Sequence, residues 1–156
     1  MIKWAISIKL IAFLLRFTTQ GVTENNKNDL VEDAMELFYK STRDDNAKVT
    51  ASKAILKGLA DDGGLFVPES IPVLDKSFEE LSKLSYGEVA YEVMKLFFTD
   101  FTEEELKNCI ANAYDSKFDT PEIAPLVKAD GAYFLELFHG ATIAFKDMAL
   151  SILPHL

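Results

Sequence analysis

The stretch ELFHGATIAFKDMAL, Glu136 to Leu150, sets His139, Thr142, Lys146 and Asp147 within nine residues. A lysine between apolar neighbours has two readings. Ile143, Ala144, Phe145 and Met148 suggest partial burial of Lys146, and a helix beginning near Ala144 would put its ammonium at the positive end of the dipole. Both effects disfavour the charged form and favour a neutral amine, the nucleophile that condenses with a carbonyl. Against this, Asp147 adjoins the lysine and favours the charged form, and a lysine can run along an apolar face with its tip in water. On pattern alone the surface reading is the commoner one. His139 is open in the same way, as a base or as a structural hydrogen-bonding group in a turn.

Other chemistries are bounded by composition. The chain has one cysteine, Cys109, so it holds no internal disulfide and no multi-cysteine zinc site. Its two histidines, His139 and His155, would need distant carboxylates to complete a metal site, and none is expected. Cys109 falls on an apolar helical stripe and reads as a small buried hydrophobe. A net charge of −9 argues against nucleic acid, because phosphate binding requires a basic face. At 156 residues, 49% hydrophobic and 26% charged, the chain can bury a core of its own.

The elements that would position the stretch can be read from periodicity and caps. LFYKST alternates as a short strand. VTASKAILKGLADDGG carries Ala51, Ile55 and Leu59 at four-residue spacing, with Gly63-Gly64 as the expected stop. LFVPES reads as a short extended piece closed by Pro68 and Pro72. Three helix starts carry capping boxes: Ser77 with Glu80, Ser85 with Glu88, Thr102 with Glu105. The second helix should bury Val89, Val93, Leu96 and Phe97, and the third Leu106, Ile110 and Ala113. Asp130-Gly131 between two apolar runs predicts a hairpin, since a type I′ turn needs positive φ. From Ala132 the pattern then predicts strand, glycine turn, and a helix with Lys146 in its first turn.

Residues 1–34 differ in character. Trp4 to Phe17 holds eleven apolar residues in fourteen, interrupted by Lys9, which is short of the roughly 20 that a membrane span needs. A basic start before LIAFLL allows a signal peptide, but RFTTQG lacks a small-x-small cleavage pattern. The remaining reading is an extension, flexible or an apolar helix. Its basic and acidic residues cancel, so the whole −9 belongs to residues 35–156.

Beyond the isolated lysine, the full wording LELFHGATIAFKD closely resembles the signature around the cofactor lysine of threonine synthases, usually E-L-F-H-G-P-T-x-A-F-K-D. YKSTRD (Tyr39 to Asp44), GLADDGGLFVP (Gly58 to Pro68) and YGEVAYEVMKLF also resemble that family's amino-terminal domain. The resemblance runs in order through residues 35–156. It implies an α/β protein: a mainly helical amino-terminal domain with short strands over 35–120, and over 121–156 the first strand-turn-helix of a truncated pyridoxal-phosphate (fold-type II, tryptophan-synthase-β-like) catalytic domain.

The same resemblance implies the chemistry. Threonine synthases convert O-phospho-L-homoserine and water to L-threonine and phosphate, in the cytoplasm, with no nucleic-acid or membrane partner. By the match Lys146 is the residue joined to pyridoxal phosphate, and it would move protons between substrate carbons once released. Phe145 would wall the cofactor, Asp147 would orient the turn, and His139, Gly140 and Thr142 would shape the loop beside the substrate. Ala141 stands where the family usually has proline, so the turn loses a φ restraint. The family's later serine-glycine-aspartate-threonine-glycine motif and glycine-rich phosphate loop do not occur in this sequence. The chain therefore reads as an amino-terminal fragment, inactive alone, with Ile143, Phe145, Leu150 and Ile152 left as an apolar patch. Two alternatives are a threonine or serine dehydratase of the same superfamily and a non-catalytic binding module.

Overall fold

The computed structural model describes residues 36–44 and 48–156; the expectations for residues 1–34 lie outside the described residues. Its architecture is mixed helix and short strand, α/β, with two separate two-stranded antiparallel sheets among the described residues. Strand β1 (Tyr39–Ser41) pairs antiparallel with β2 (Phe66–Pro68), so that Lys40 faces Val67. Between them lies α1 (Ala51–Lys57), which buries Ala51 and Ala54.

The stop of α1 is Gly58 rather than Gly63-Gly64. Gly58 takes φ +71° and donates its N–H to the Ala54 carbonyl, and the Leu59 N–H donates to the Lys57 carbonyl at 2.9 Å, a tight γ-turn ending at positive φ that glycine adopts without a Cβ penalty. Leu59 thus leaves the helix and instead bridges Leu65 across a tight loop. The two glycines serve that loop. A Cβ at Gly64 would collide with Ser41 Oγ. Ser41 Oγ and the Gly64 N–H both donate to Asp62 Oδ1, each at 2.8 Å. These bonds, the Gly64 amide first and then Ser41, hold the Asp62 carboxyl below the usual carboxylate range. Arg43 Nη1 donates to the Asp62 carbonyl at 2.9 Å. YKSTRD and GLADDGGLFVP are therefore one interlocked unit.

Three helices follow, α2 (Phe78–Leu81), α3 (Tyr86–Met94) and α4 (Glu103–Ala113), each opened by the expected reciprocal capping box. In α4, for example, Thr102 Oγ1 accepts from the Glu105 N–H while Glu105 Oε2 accepts from the Thr102 N–H. Leu106, Cys109, Ile110 and Ala113 are buried, as their spacing requires. The prediction for α3 is only partly met. Val89 is buried, but Val93 is half-buried, and Leu96 and Phe97 lie beyond the helix end, also half-buried. After Met94 the chain turns through three-residue steps, such as Phe97 N–H to the Met94 carbonyl, which carries Leu96 and Phe97 off the helical stripe. The Phe97 carbonyl instead receives Tyr39 Oη at 3.0 Å, tying the strand pair to the helices. Burial pushes the Tyr39 hydroxyl up to about 12.

The remaining elements are a hairpin, β3 (Leu126–Ala129) with β4 (Ala132–Leu135), a short helix α5 (Asp147–Leu150) and a 3₁₀ turn (Leu153–His155). Asp130 and Gly131 have φ of +49° and +80°, the two left-handed residues of the predicted type I′ turn. Ile152 is not part of an exposed patch. It is 5% exposed, within the cluster of Leu106, Cys109, Ile110 and Ala113, because the 3₁₀ turn folds back onto α4. Cys109 Sγ donates to the His155 carbonyl at 2.7 Å, and burial raises its thiol pKa, so it is the buried hydrophobe the stripe implied. No helix among the described residues is long and apolar enough to cross a membrane.

Candidate functional site

The segment from His139 to Leu150 hangs between β4 and the 3₁₀ turn. The regular helix begins later than expected, at Asp147, and Lys146 is its N-cap residue with helical φ of −60°. Two features explain the delay. Ile143 sits at φ +62°, a conformation that costs an L residue about 1–2 kcal/mol and breaks any helical path through it. The next bonds are three-residue steps, Asp147 N–H to the Ala144 carbonyl and Met148 N–H to the Phe145 carbonyl.

Lys146 is exposed, where its apolar neighbours had suggested partial burial. Those neighbours do not cover it, since Ile143 and Phe145 are themselves 74% and 67% exposed. Among the described residues no carboxylate pairs with its ammonium. In particular Asp147, adjacent in sequence, points elsewhere. Asp147 is buried, with Oδ2 accepting from the Thr142 N–H at 2.8 Å and Oδ1 accepting from Thr142 Oγ1 at 2.6 Å. The backbone of Gly140 packs against the same carboxylate. A Cβ there would stand 2.5 Å from Asp147 Cβ and Oδ2, so only glycine fits without movement. Gly140, Thr142 and Asp147 thus form one bridged turn that sends the Lys146 side chain outward.

His139 is held at both nitrogens. Nδ1 lies 2.5 Å from Asp119 Oδ1, and Nε2 lies 2.9 Å from Glu136 Oε2. The Asp119 N–H donates to the His139 carbonyl at 3.0 Å, and the Phe138 ring stacks on the imidazole at 4.6 Å. The hydrogen bond to Glu136, then that to Asp119, raises the His139 pKa above its ordinary value against the opposing effect of burial. Sequence reasoning missed both carboxylates. Asp119 is 20 residues away in an irregular segment, and no spacing rule connects it to a turn histidine. An open cleft of about 430 Å³ beside Tyr114, Phe118 and Ile123 includes Asp119 in its lining but not Lys146.

The far side of the segment is fixed by α4, through Tyr114 Oη donating to the Met148 carbonyl at 2.8 Å and through Ile152 in the core. In chemical terms the arrangement offers one exposed primary amine on an anchored turn, an aromatic face next to it, and a separately held imidazole.

Comparison with known proteins gives this geometry a family. A model described as threonine synthase N terminus matches residues 38–114. The chain is 43% identical over 125 residues to a threonine synthase of Schizosaccharomyces pombe, covering 78% of this chain and 24% of that protein. The crystal structure of threonine synthase from yeast superposes with a TM-score of 0.71 at 38% identity, over 77% of this chain and 25% of that one. A PLP-bound threonine synthase from Brucella melitensis superposes with a TM-score of 0.67 at 35% identity, over 76% of this chain and 26% of that one. The chain spans about a quarter of the length of the relatives it matches. Through this amino-terminal region, the chain belongs to the threonine synthase family.

Proposed function

We propose that this chain serves a pyridoxal-phosphate-dependent threonine synthase of the cytoplasm, which converts O-phospho-L-homoserine and water to L-threonine and phosphate, with Lys146 as the attachment residue. In this reading residues 35–120 are the amino-terminal domain and residues 121–156 open the catalytic domain with a strand, a turn and the short helix bearing the lysine. The observation that carries it is the exposed Lys146 amine, without a carboxylate partner among the described residues, at the end of the turn bridged by Thr142 and Asp147.

The residues present suit the group. An aldehyde needs an accessible primary amine, and Lys146 has one. Its adjacent carboxylate is occupied by Thr142 and is not available to hold the ammonium in an ion pair. Phe145, 67% exposed beside it, supplies an aromatic face for the wall of the site. The bound cofactor supplies an electron sink for carbanionic steps. The chain's own contributions are distinct. Lys146 Nζ binds the group and, when free, carries protons between substrate carbons. Asp147, through both Thr142 bonds, keeps the turn from rotating. Gly140 lets the turn pass close to Asp147, and His139 and Thr142 border the substrate side.

Borohydride reduction of the full-length enzyme after incubation with pyridoxal phosphate, followed by peptide mapping, tests the attachment. The pyridoxyl label is expected on Lys146 in preference to the other exposed lysines, and to be lost from that peptide in Lys146→Ala. Equal labelling of all exposed lysines would sink the assignment.

A further inference from the structure

We propose that His139 is a positioning residue held as an imidazolium between Asp119 and Glu136, a clamp that pins the Gly140–Thr142 turn in front of Lys146. What the clamp positions rests on the reading of Lys146 given above; the clamp itself stands on the local geometry.

Both ring nitrogens lie within hydrogen-bonding distance of carboxylate oxygens, 2.5 Å to Asp119 and 2.9 Å to Glu136. An ionised carboxylate only accepts hydrogen bonds, and a neutral imidazole has one N–H. A neutral His139 would therefore aim a ring lone pair at one of two carboxylates. The doubly protonated ring donates to both, with charge-assisted bonds of the stronger kind. Asp119 and Glu136 are the carboxylates facing the ring, one from the segment after α4 and one from the residue after β4; Phe138 covers a ring face.

The clamp reaches the lysine through covalent neighbours and one buried carboxylate. Asp119 grips residue 139 twice, by its side chain at the ring and by its N–H at the carbonyl. The next residue, Gly140, packs on Asp147, and Asp147 holds the Thr142 amide. Releasing the ring leaves residue 139 held by the Asp119 N–H alone, while Asp147 still holds the other end of the turn. A ring with both nitrogens engaged as donors has no lone pair to accept a substrate proton, so His139 acts by position and not as a base.

The sign of the pH dependence follows from the raised folded-state pKa. The clamp contributes fully below the ordinary histidine pKa of about 6.5 and is lost as pH rises through the higher folded value. Because the sequence has two histidines, nitrogen-resolved NMR of the chain can follow His139 directly, with His155→Gln assigning the signals. The expected result is two protonated ring nitrogens at neutral pH, with the titration midpoint falling back toward about 6.5 in Glu136→Gln and in Asp119→Asn. Amide exchange at Thr142, corrected for its intrinsic pH dependence, should speed up about tenfold in His139→Gln. A single-proton tautomer at neutral pH, or a midpoint that neither variant moves, would overturn the clamp, as would unchanged Thr142 exchange. If a variant does not fold, the wild-type ring signals decide alone. No step uses pyridoxal phosphate, so unselective labelling of Lys146 beside a protonated His139 would remove the cofactor reading and leave the clamp standing.

Discussion

The helical region through Ala113 and the segment from His139 to Leu150 hold their shapes by opposite means. In the first, apolar stripes on capped helices meet in a shared cluster, with Leu106 and Ala113 almost wholly buried. In the second, Ile143, Phe145 and Leu150 are exposed, and the backbone is fixed by the polar contacts of Asp147 and His139. Stability in one is distributed over packing; in the other it is concentrated in a few hydrogen bonds. Such a segment can keep a reactive amine accessible, because nothing apolar has to cover it. It also tolerates a β-branched residue at positive φ, the kind of local strain that collects at functional sites.

The largest expected effect tests the packed side. Leu106→Ala should cost about 3 kcal/mol, from lost burial and a cavity beside Cys109, Ile110 and Ile152. Phe145→Ala, at an exposed position, should change stability by no more than about 0.5 kcal/mol. Denaturant unfolding of the two variants checks the pair. Similar losses would mean that Phe145 packs in solution and would erase the contrast.

An intermediate effect tests the polar side. Asp147→Ala removes the acceptor for the Thr142 N–H and Oγ1 and should cost about 1–3 kcal/mol, even though Asp147 lies outside the apolar cluster. Asp147→Asn, which keeps one acceptor oxygen, should recover part of that loss. If alanine at 147 is silent in unfolding while Thr142 amide exchange is unchanged, the turn is held by something other than its carboxylate.

The two sides also differ in how far they can be read from sequence. Capping boxes join residues three apart, so Ser77, Ser85 and Thr102 announce their helices without tertiary information. Asp130-Gly131 is equally local, because its backbone conformation selects its residues. Burial at the chemical segment is not local. The run around Lys146 looks like one that buries its lysine, but Ile143 at positive φ and the Asp147 bond to Thr142 redirect it. Ile152 is buried only because α4, about 40 positions earlier, receives it. Asp119 could not be linked to His139 by any period, since neither lies in a regular element. Motif wording pointed to the lysine; long-range hydrogen bonding determined how it is presented.

The smallest expected change is the one that separates a structural lysine from a chemical one. Lys146 has helical φ at an N-cap where its side chain makes no capping bond, and alanine fits that backbone with good helix propensity. Its side chain is exposed and, among the described residues, unpaired with any carboxylate. Lys146→Ala should therefore leave unfolding free energy within about 0.5 kcal/mol of the parent chain. In the full-length enzyme the same substitution should abolish selective pyridoxyl labelling, while Leu106→Ala at a temperature where the protein stays folded should retain it. A loss above about 1 kcal/mol in Lys146→Ala would assign the residue a role in holding the turn and weaken its assignment to the cofactor. A silent unfolding curve with lost labelling would place chemistry and stability on different residues of the same turn, Lys146 for the first and Asp147 for the second.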